Sequence, residues 1–201
     1  MSPKFAQYGN DDVRRLIDEY PLAWVLAPYA PLSTATLLPM LGDYDAEGRL
    51  IRLVGHMSRR RPLFPALEAT PVAQFLFTGP QGYIAAEHSG RRDWGPTWNY
   101  AAVRVEGEVR FVPDRTGELV ARLAQVCEAG RADPWRPAEL GSRYDGMQAM
   151  IIGFEVSVTT LDATFKLAQD EDDEVLAHIV ASHPDPAMRE WICAFNKGRL
   201  D

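Results

Sequence analysis

Gly95-Pro96-Thr97-Trp98-Asn99-Tyr100-Ala101-Ala102-Val103-Arg104-Val105 is the stretch on which the fold turns. A rigid turn at Gly95-Pro96 runs straight into an extended segment that continues to Val112, with Gly107 marking a bend or bulge. Two large aromatics beside a turn must pack on something flat or satisfy a specific hydrogen bond. The carboxamide between them adds two donors and an acceptor. Thr97 to Tyr100 therefore read either as a packed strand start or as a ligand platform on a loop anchored to a strand.

Working outward, the neighbouring segments are also short and apolar. Leu22–Ala27, Ser33–Leu41 and Leu50–His56 are compact runs. Gly42 to Gly48 carries the Gly/Asp chemistry of a hairpin loop between the last two. Val72–Thr78 is β-branched and aromatic, closed by Gly79-Pro80, and Gln81–Ala86 continues the sheet. Ile151–Leu161 alternates through Phe154, Val156 and Val158. Helices are expected after Asn10, with Val13, Leu16, Ile17 and Tyr20 on one face, and from Pro62 through Leu67. A third follows a cap at Asp114, carrying Leu119, Val120, Leu123 and Val126. Ala132–Arg143 reads as a Pro-containing connector. The acidic run Asp170–Glu174 lacks the alternate spacing of a calcium loop and reads as the cap of a C-terminal helical extension over about 171–201. Many short strands with a few helices give a mainly β protein with peripheral helices (α+β), of β-barrel type.

The 201 residues fit one globular domain. The net charge of −7 argues against coating nucleic acid by charge alone. No apolar run approaches the roughly 20 residues of a bilayer span, and Met1–Asn10 is too polar for a signal peptide core. Cys127 and Cys193 lack CxxC spacing and read as buried small hydrophobes, so the expected compartment is cytoplasmic. His56, His88, His178 and His183 are scattered along the chain, and no metal site is expected.

Three clusters resemble a known family. They are Gly55-His56-Met57-Ser58-Arg59-Arg60-Arg61-Pro62, then Phe77-Thr78-Gly79-Pro80 through Pro96 to Val103, then Ile152-Gly153-Phe154-Glu155 through Lys166-Leu167-Ala168-Gln169. In these the chain is similar to the PaiB-like family, described as FMN-binding negative transcriptional regulators. That family is in turn similar to the flavin-reductase-like split β-barrel proteins, homodimers with FMN at the subunit interface. The resemblance implies an FMN-binding split β-barrel over nearly the whole chain, from about Phe5 to the C-terminal helices. This sequence departs from the family pattern at Leu37, where a His is usual, across Ala85-Ala86-Glu87-His88-Ser89, and at Ala168 and Asp170.

Ser58-Arg59-Arg60 follows a strand and precedes a helix start, where a hydroxyl, backbone amides and guanidinium forks suit a phosphate. A solvated basic turn is the alternative. The resemblance adds Thr36 and His56 to the flavin-binding set, with Thr97, Trp98, Asn99 and Tyr100 flanking the ring system and Lys166 and Gln169 supplying a charge and an amide. It implies a homodimer binding a small planar or phosphate-bearing ligand, and a role as regulator or flavin-dependent redox protein. A cofactor-free sensor that keeps the barrel is the second reading. No catalytic acid or base is identifiable, although Glu87 and His88 lie on a loop able to face the pocket. No helix-turn-helix pattern supports direct DNA binding.

Overall fold

A computed structural model describes residues 3–200. Seven strands form one antiparallel sheet: β1 (Leu22–Leu26), β2 (Thr36–Pro39), β3 (Leu41–Tyr44), β4 (Leu50–Ser58), β5 (Val72–Ile84), β6 (Thr97–Phe111) and β7 (Ile151–Lys166). Their order across the sheet is β2-β1-β5-β6-β7-β4-β3. The two outermost strands, β2 and β3, are consecutive in sequence and joined by Met40 alone. One residue can bridge the two edges only if the sheet curls round on itself into a barrel. Met40 is fully buried at that closure, and any side chain on Gly55 of β4 would meet its Sδ at 2.8 Å. Glycine is required there for the close approach.

Alternate positions fill the barrel. Ala23 and Val25, Phe75 and Phe77, Ala101, Val103 and Val105, and Ala163 and Phe165 all join one core. Each fully buried phenylalanine contributes about 1.5–3 kcal/mol through removal from water. Helix α1 (Asn10–Glu19) adds Val13, Leu16 and Ile17. Its cap is Gly9, whose N–H donates to Asp12 Oδ2 at 2.8 Å, one residue before the expected Asn10. Asn10 instead donates to the Glu47 carbonyl, tying the helix to the β3–β4 loop. That loop is shorter than expected, because Gly42 to Tyr44 pair with β4. Asp45 Oδ1 accepts from the Glu47 and Arg49 amides and makes the turn.

Gly79-Pro80 does not end β5. The strand continues through it with a register shift between Thr78 and Gln81. β1 pairs with β5 over Gln74 to Leu76, so the N–H that Pro80 lacks lies beyond that ladder. The bend expected at Gly107 is a bulge against β7.

Helix α2 (Leu63–Ala69) follows Pro62 as expected. Helix α3 (Thr116–Cys127) begins after a 3-10 turn at Pro113–Arg115, and Asp114 does not cap it. α3 covers the outer face of β4 and β7, where Leu119 packs with Leu41, Val54 and Val112. Arg110 and Arg115 both reach Glu155, a carboxylate 4% exposed on β7. Val126 and Cys127 remain exposed, so the expectation of a buried Cys127 is corrected: the apolar face of α3 outruns the sheet beneath it. The connector holds a 3-10 turn at Pro137–Leu140 and ends where a short α4 (Arg143–Gln148) begins. Helices α5 (Asp173–Ser182) and α6 (Pro186–Phe195) contribute Leu176, Ile179, Met188 and Ile192 to the barrel core. Asp172 caps α5 by accepting from the Val175 amide, the role expected of the acidic run.

Candidate functional site

Strand parity divides the Thr97–Tyr100 motif. Asn99 is 2% exposed and lies in register with the inward residues of β6, whereas Trp98 and Tyr100 belong to the outward set. Trp98 is 56% exposed, and its ring lies 5.9 Å from Tyr83 on β5. Lys166 stands directly opposite Tyr100, donates its ammonium to Thr97 Oγ1 and lies 5.7 Å from the Phe5 ring. Thr97, Trp98, Tyr100 and Lys166 thus meet where β6 begins and β7 ends. The Gln169 amide is already engaged: it donates to the Phe165 carbonyl and accepts from the Leu167 amide at 2.6 Å. It braces a turn in which Ala168 takes the left-handed conformation, φ 64°.

The basic cluster lies elsewhere. Ser58 pairs with Ile151, the first residue of β7, so it sits about 50 Å from Lys166 along that strand at roughly 3.3 Å per residue. Ser58 Oγ accepts from the Arg60 amide at 3.2 Å. Arg59 donates to the Ile151 carbonyl at 3.1 Å and lies over Phe64. Among the described residues Arg60 and Arg61 have no ion-pair partner. Both are exposed. His56 shares a face of β4 with Ser58, two residues away, and burial pushes its imidazole below the usual histidine value. Its Nδ1 is buried without a partner, as is Asn99 Nδ2. Thr36 is buried opposite Val25 and joins neither cluster.

Between the two clusters the outer face of the sheet is bare. One row runs across five strands in register: Leu37, Trp24, Leu76, Arg104 and Asp162. Its three apolar members are 41%, 48% and 37% exposed, with Leu22 at 52% beside them. A cavity of about 500 Å³ opens there, lined by Gln74, Leu76, Arg104, Glu106 and Asp162. The sequence carried this signal in Leu22-Ala23-Trp24-Val25-Leu26, which is apolar at both parities and so implies that both faces are covered. A larger cavity, about 790 Å³ between α3 and Trp135, contains none of the expected site residues.

The model of the family described as "Putative FMN-binding domain" matches residues 1–160. The chain belongs to that family. It is 25% identical over 185 residues to protease synthase and sporulation protein PAI 2 of Bacillus subtilis, covering 89% of this chain and 86% of that one. In fold it is similar to the FAD- and heme-binding protein from Mycobacterium smegmatis, with a TM-score of 0.59 at 18% identity over 80% of this chain and 72% of that one. It is likewise similar to the flavocytochrome Anf3 from Azotobacter vinelandii, TM-score 0.57 at 16% identity, over 81% and 69% of the two chains. The fold is the flavin-type split barrel, and the family's cofactor is FMN or a related flavin. Family membership outweighs the cofactor-free reading.

The donor set fits such a group. Ser58 with the unpaired Arg60 and Arg61 suits a phosphate, and the orphaned His56 Nδ1 lies on the same strand face. The exposed Trp98 and Tyr83 rings and the Lys166 ammonium suit a planar system with carbonyl edges.

The structure also brings His88 up to His178 and His183, which lie about ninety residues further along the chain. His88 and His183 have ring centroids 5.3 Å apart, and the His178 ring lies against Gly90. No group of three or more metal-ligating side chains occurs among the described residues. No helix among them is long and apolar enough to cross a membrane.

Proposed function

We propose that the protein binds FMN in a cleft completed by a second copy of the chain, and acts as a regulator or flavin-dependent redox protein. The bare row Leu37-Trp24-Leu76, flanked by the Arg104–Asp162 pair, is the observation that carries this reading. An apolar sheet face of this kind is buried in use, and a rim of opposite charges suits a self-complementary twofold contact. The basic turn and the aromatic cluster lie at opposite ends of β7, too far apart along one strand to hold one mononucleotide. A twofold axis on the bare face sets the Ser58–Arg60 turn of one protomer beside the Thr97–Tyr100 cluster of its partner.

In this arrangement Ser58, Arg60 and Arg61 bind the phosphate. Trp98 and Tyr100 orient the ring system and exclude water, while Lys166 fixes a carbonyl edge. His56 and Asn99 shape the strands beside the two clusters, and Gln169 braces the turn that follows Lys166. FMN, when bound, supplies hydride or single-electron transfer. The net charge of −7 favours regulation through a ligand or partner over direct DNA contact.

An absorption spectrum of the purified protein tests the reading, with FMN titration and light scattering on the same sample. Flavin bands, saturable binding and twice the 22.5 kDa chain mass are expected. A monomer that takes up no FMN overturns it.

A further inference from the structure

The connection between β5 and β6, residues 85–96, lies as a strap along α5, from the residues before its first turn to His183 at its end. Its fastenings are polar. Arg91 donates to Asp172 at 2.7 Å and to Glu174 at 2.7 Å. Trp94 Nε1 donates to Glu171 at 2.8 Å. Ser182 Oγ of α5 donates its one proton to the His178 carbonyl at 2.8 Å, with the His88 carbonyl of the strap 3.3 Å away. Gly90, at φ +72°, brings the strap so close that a Cβ would lie 3.0 Å from the His178 ring.

At the centre are two histidines used in the same way. The Ala85 N–H donates to His88 Nδ1 at 3.2 Å, and the Asp185 N–H donates to His183 Nδ1 at 3.2 Å. Each ring must therefore have an unprotonated Nδ1 and carry its hydrogen on Nε2. A second proton can go only to Nδ1. There it abolishes the acceptor and sets an N–H against the backbone N–H that had donated. Protonating both rings also places two cations 5.3 Å apart in a seam where His183 is 4% exposed. His183 has no room to retreat, since its ring sits over Gly82, where a Cβ would lie 2.9 Å from Cε1 and Nε2.

The charges facing the pair do not cancel this. Glu87 Oε1 is 3.8 Å from His88 Nε2 but is 80% exposed and screened by water. Asp185 is occupied as the cap of α6, accepting from the Ala187 and Met188 amides. Asp172 and Glu174 of α5 are paired with Arg91 of the strap. His178, on α5, adds a third group of the same sign when protonated.

We propose that His88 and His183 form a proton-operated latch: neutral, each ring is fixed by its own segment's amide and the two meet edge to face across the seam between the strap and the end of α5, and protonated, they lose those amides, repel and release the strap. The strap leads directly into Thr97, so release loosens the start of β6, where Trp98 and Tyr100 stand. The proposal does not depend on the flavin reading.

Residue-resolved amide exchange of the full-length protein, corrected for the intrinsic effect of pH, is the test. Between roughly pH 8 and roughly pH 5, the interval in which histidines take up protons, protection of the Ala85 and Asp185 amides should fall at least about tenfold relative to Phe75 and Val103 in the barrel. Unchanged relative protection overturns the proposal. The double variant H88N/H183N keeps an acceptor oxygen near each Nδ1 position but takes no proton, and should stay protected at the acid end. Equal loss in the variant also overturns it. A measurement on the unmodified protein stands independently: the Trp94 indole N–H resonance should shift over the same pH interval in which Nδ1 of both rings becomes protonated. Protonation of both rings with Trp94 unmoved contradicts release.

Discussion

Trp24 of β1 lies directly opposite Leu76 of β5, and both side chains stay exposed on the outer face of a sheet whose inner face is fully packed. An exposed apolar row of this kind marks an interaction surface or a ligand groove. Replacing either residue by a charge leaves the barrel core untouched, because both point away from it. Leu76→Arg, or Trp24→Glu, is expected to give a monomer by light scattering with an unchanged far-UV circular dichroism spectrum. FMN affinity should fall by at least about tenfold, which is 1.4 kcal/mol. A Leu76→Arg protein that is still dimeric rules out this face as the contact.

The phosphate end can be tested separately. Arg60 is exposed and has no ion pair among the described residues, so its loss should leave stability within about 0.5 kcal/mol. Arg60→Ala should nevertheless weaken FMN by about tenfold, the scale of one charge-assisted contact. It should weaken riboflavin, which lacks the phosphate, much less. Equal losses for the two ligands in a fluorescence titration would place the phosphate elsewhere.

Gly107 occupies the bulge between β6 and β7, where an added Cβ would lie 2.5 Å from the Ser157 carbonyl oxygen and 2.6 Å from Val156 Cγ1. One of these neighbours is backbone in the centre of the sheet and cannot yield cheaply. Gly107→Ala should lower the unfolding free energy by about 1–3 kcal/mol, the scale of overpacking. Urea denaturation reads it as a lower midpoint with little change in slope. An unchanged midpoint means that the bulge can relax.

Most of the barrel was legible because period-2 patterning names strands wherever one face is buried. Phe75 and Phe77, or Val103 and Val105, could hardly be read otherwise. Closure was not legible, since it depends on Met40 linking strands that are outermost at opposite edges of the sheet. The site was half legible. The composition of Thr97–Tyr100 pointed to a ligand platform, but adjacency in sequence hid the parity that turns Asn99 away from Trp98 and Tyr100. Three histidines at positions 88, 178 and 183 looked unrelated because the packing of the strap on α5 is a long-range event with no local periodic trace.

Glu155 is the carboxylate through which β7 holds Arg110 of β6 and Arg115 at the entrance to α3. Glu155→Gln keeps the shape and removes the charge, leaving two guanidiniums facing a neutral amide. Since Arg110 is 73% exposed and Arg115 42%, water recovers much of the loss, and about 1–2 kcal/mol of stability should go. Amide exchange in the first turn of α3 should rise before that of β6. A variant as stable as the parent makes the pair a surface contact of no consequence.

His56 gives the stability of the fold a pH dependence of known sign. Burial lowers its basicity below the ordinary histidine value, near 6.5. Its Nδ1 has no hydrogen-bond partner to offset that. The unfolded chain therefore takes up a proton more readily than the folded one. Its contribution to stability is complete above the ordinary value and is lost as pH falls below it, through the lower folded-state value. His56→Asn removes the titration while leaving a polar side chain on the same face of β4. Unfolding free energies of the two proteins, measured from about pH 8 down to about pH 5, should diverge, the parent losing stability more steeply as histidines begin to charge. Parallel curves would mean that the folded protein takes up the His56 proton as readily as the unfolded chain does.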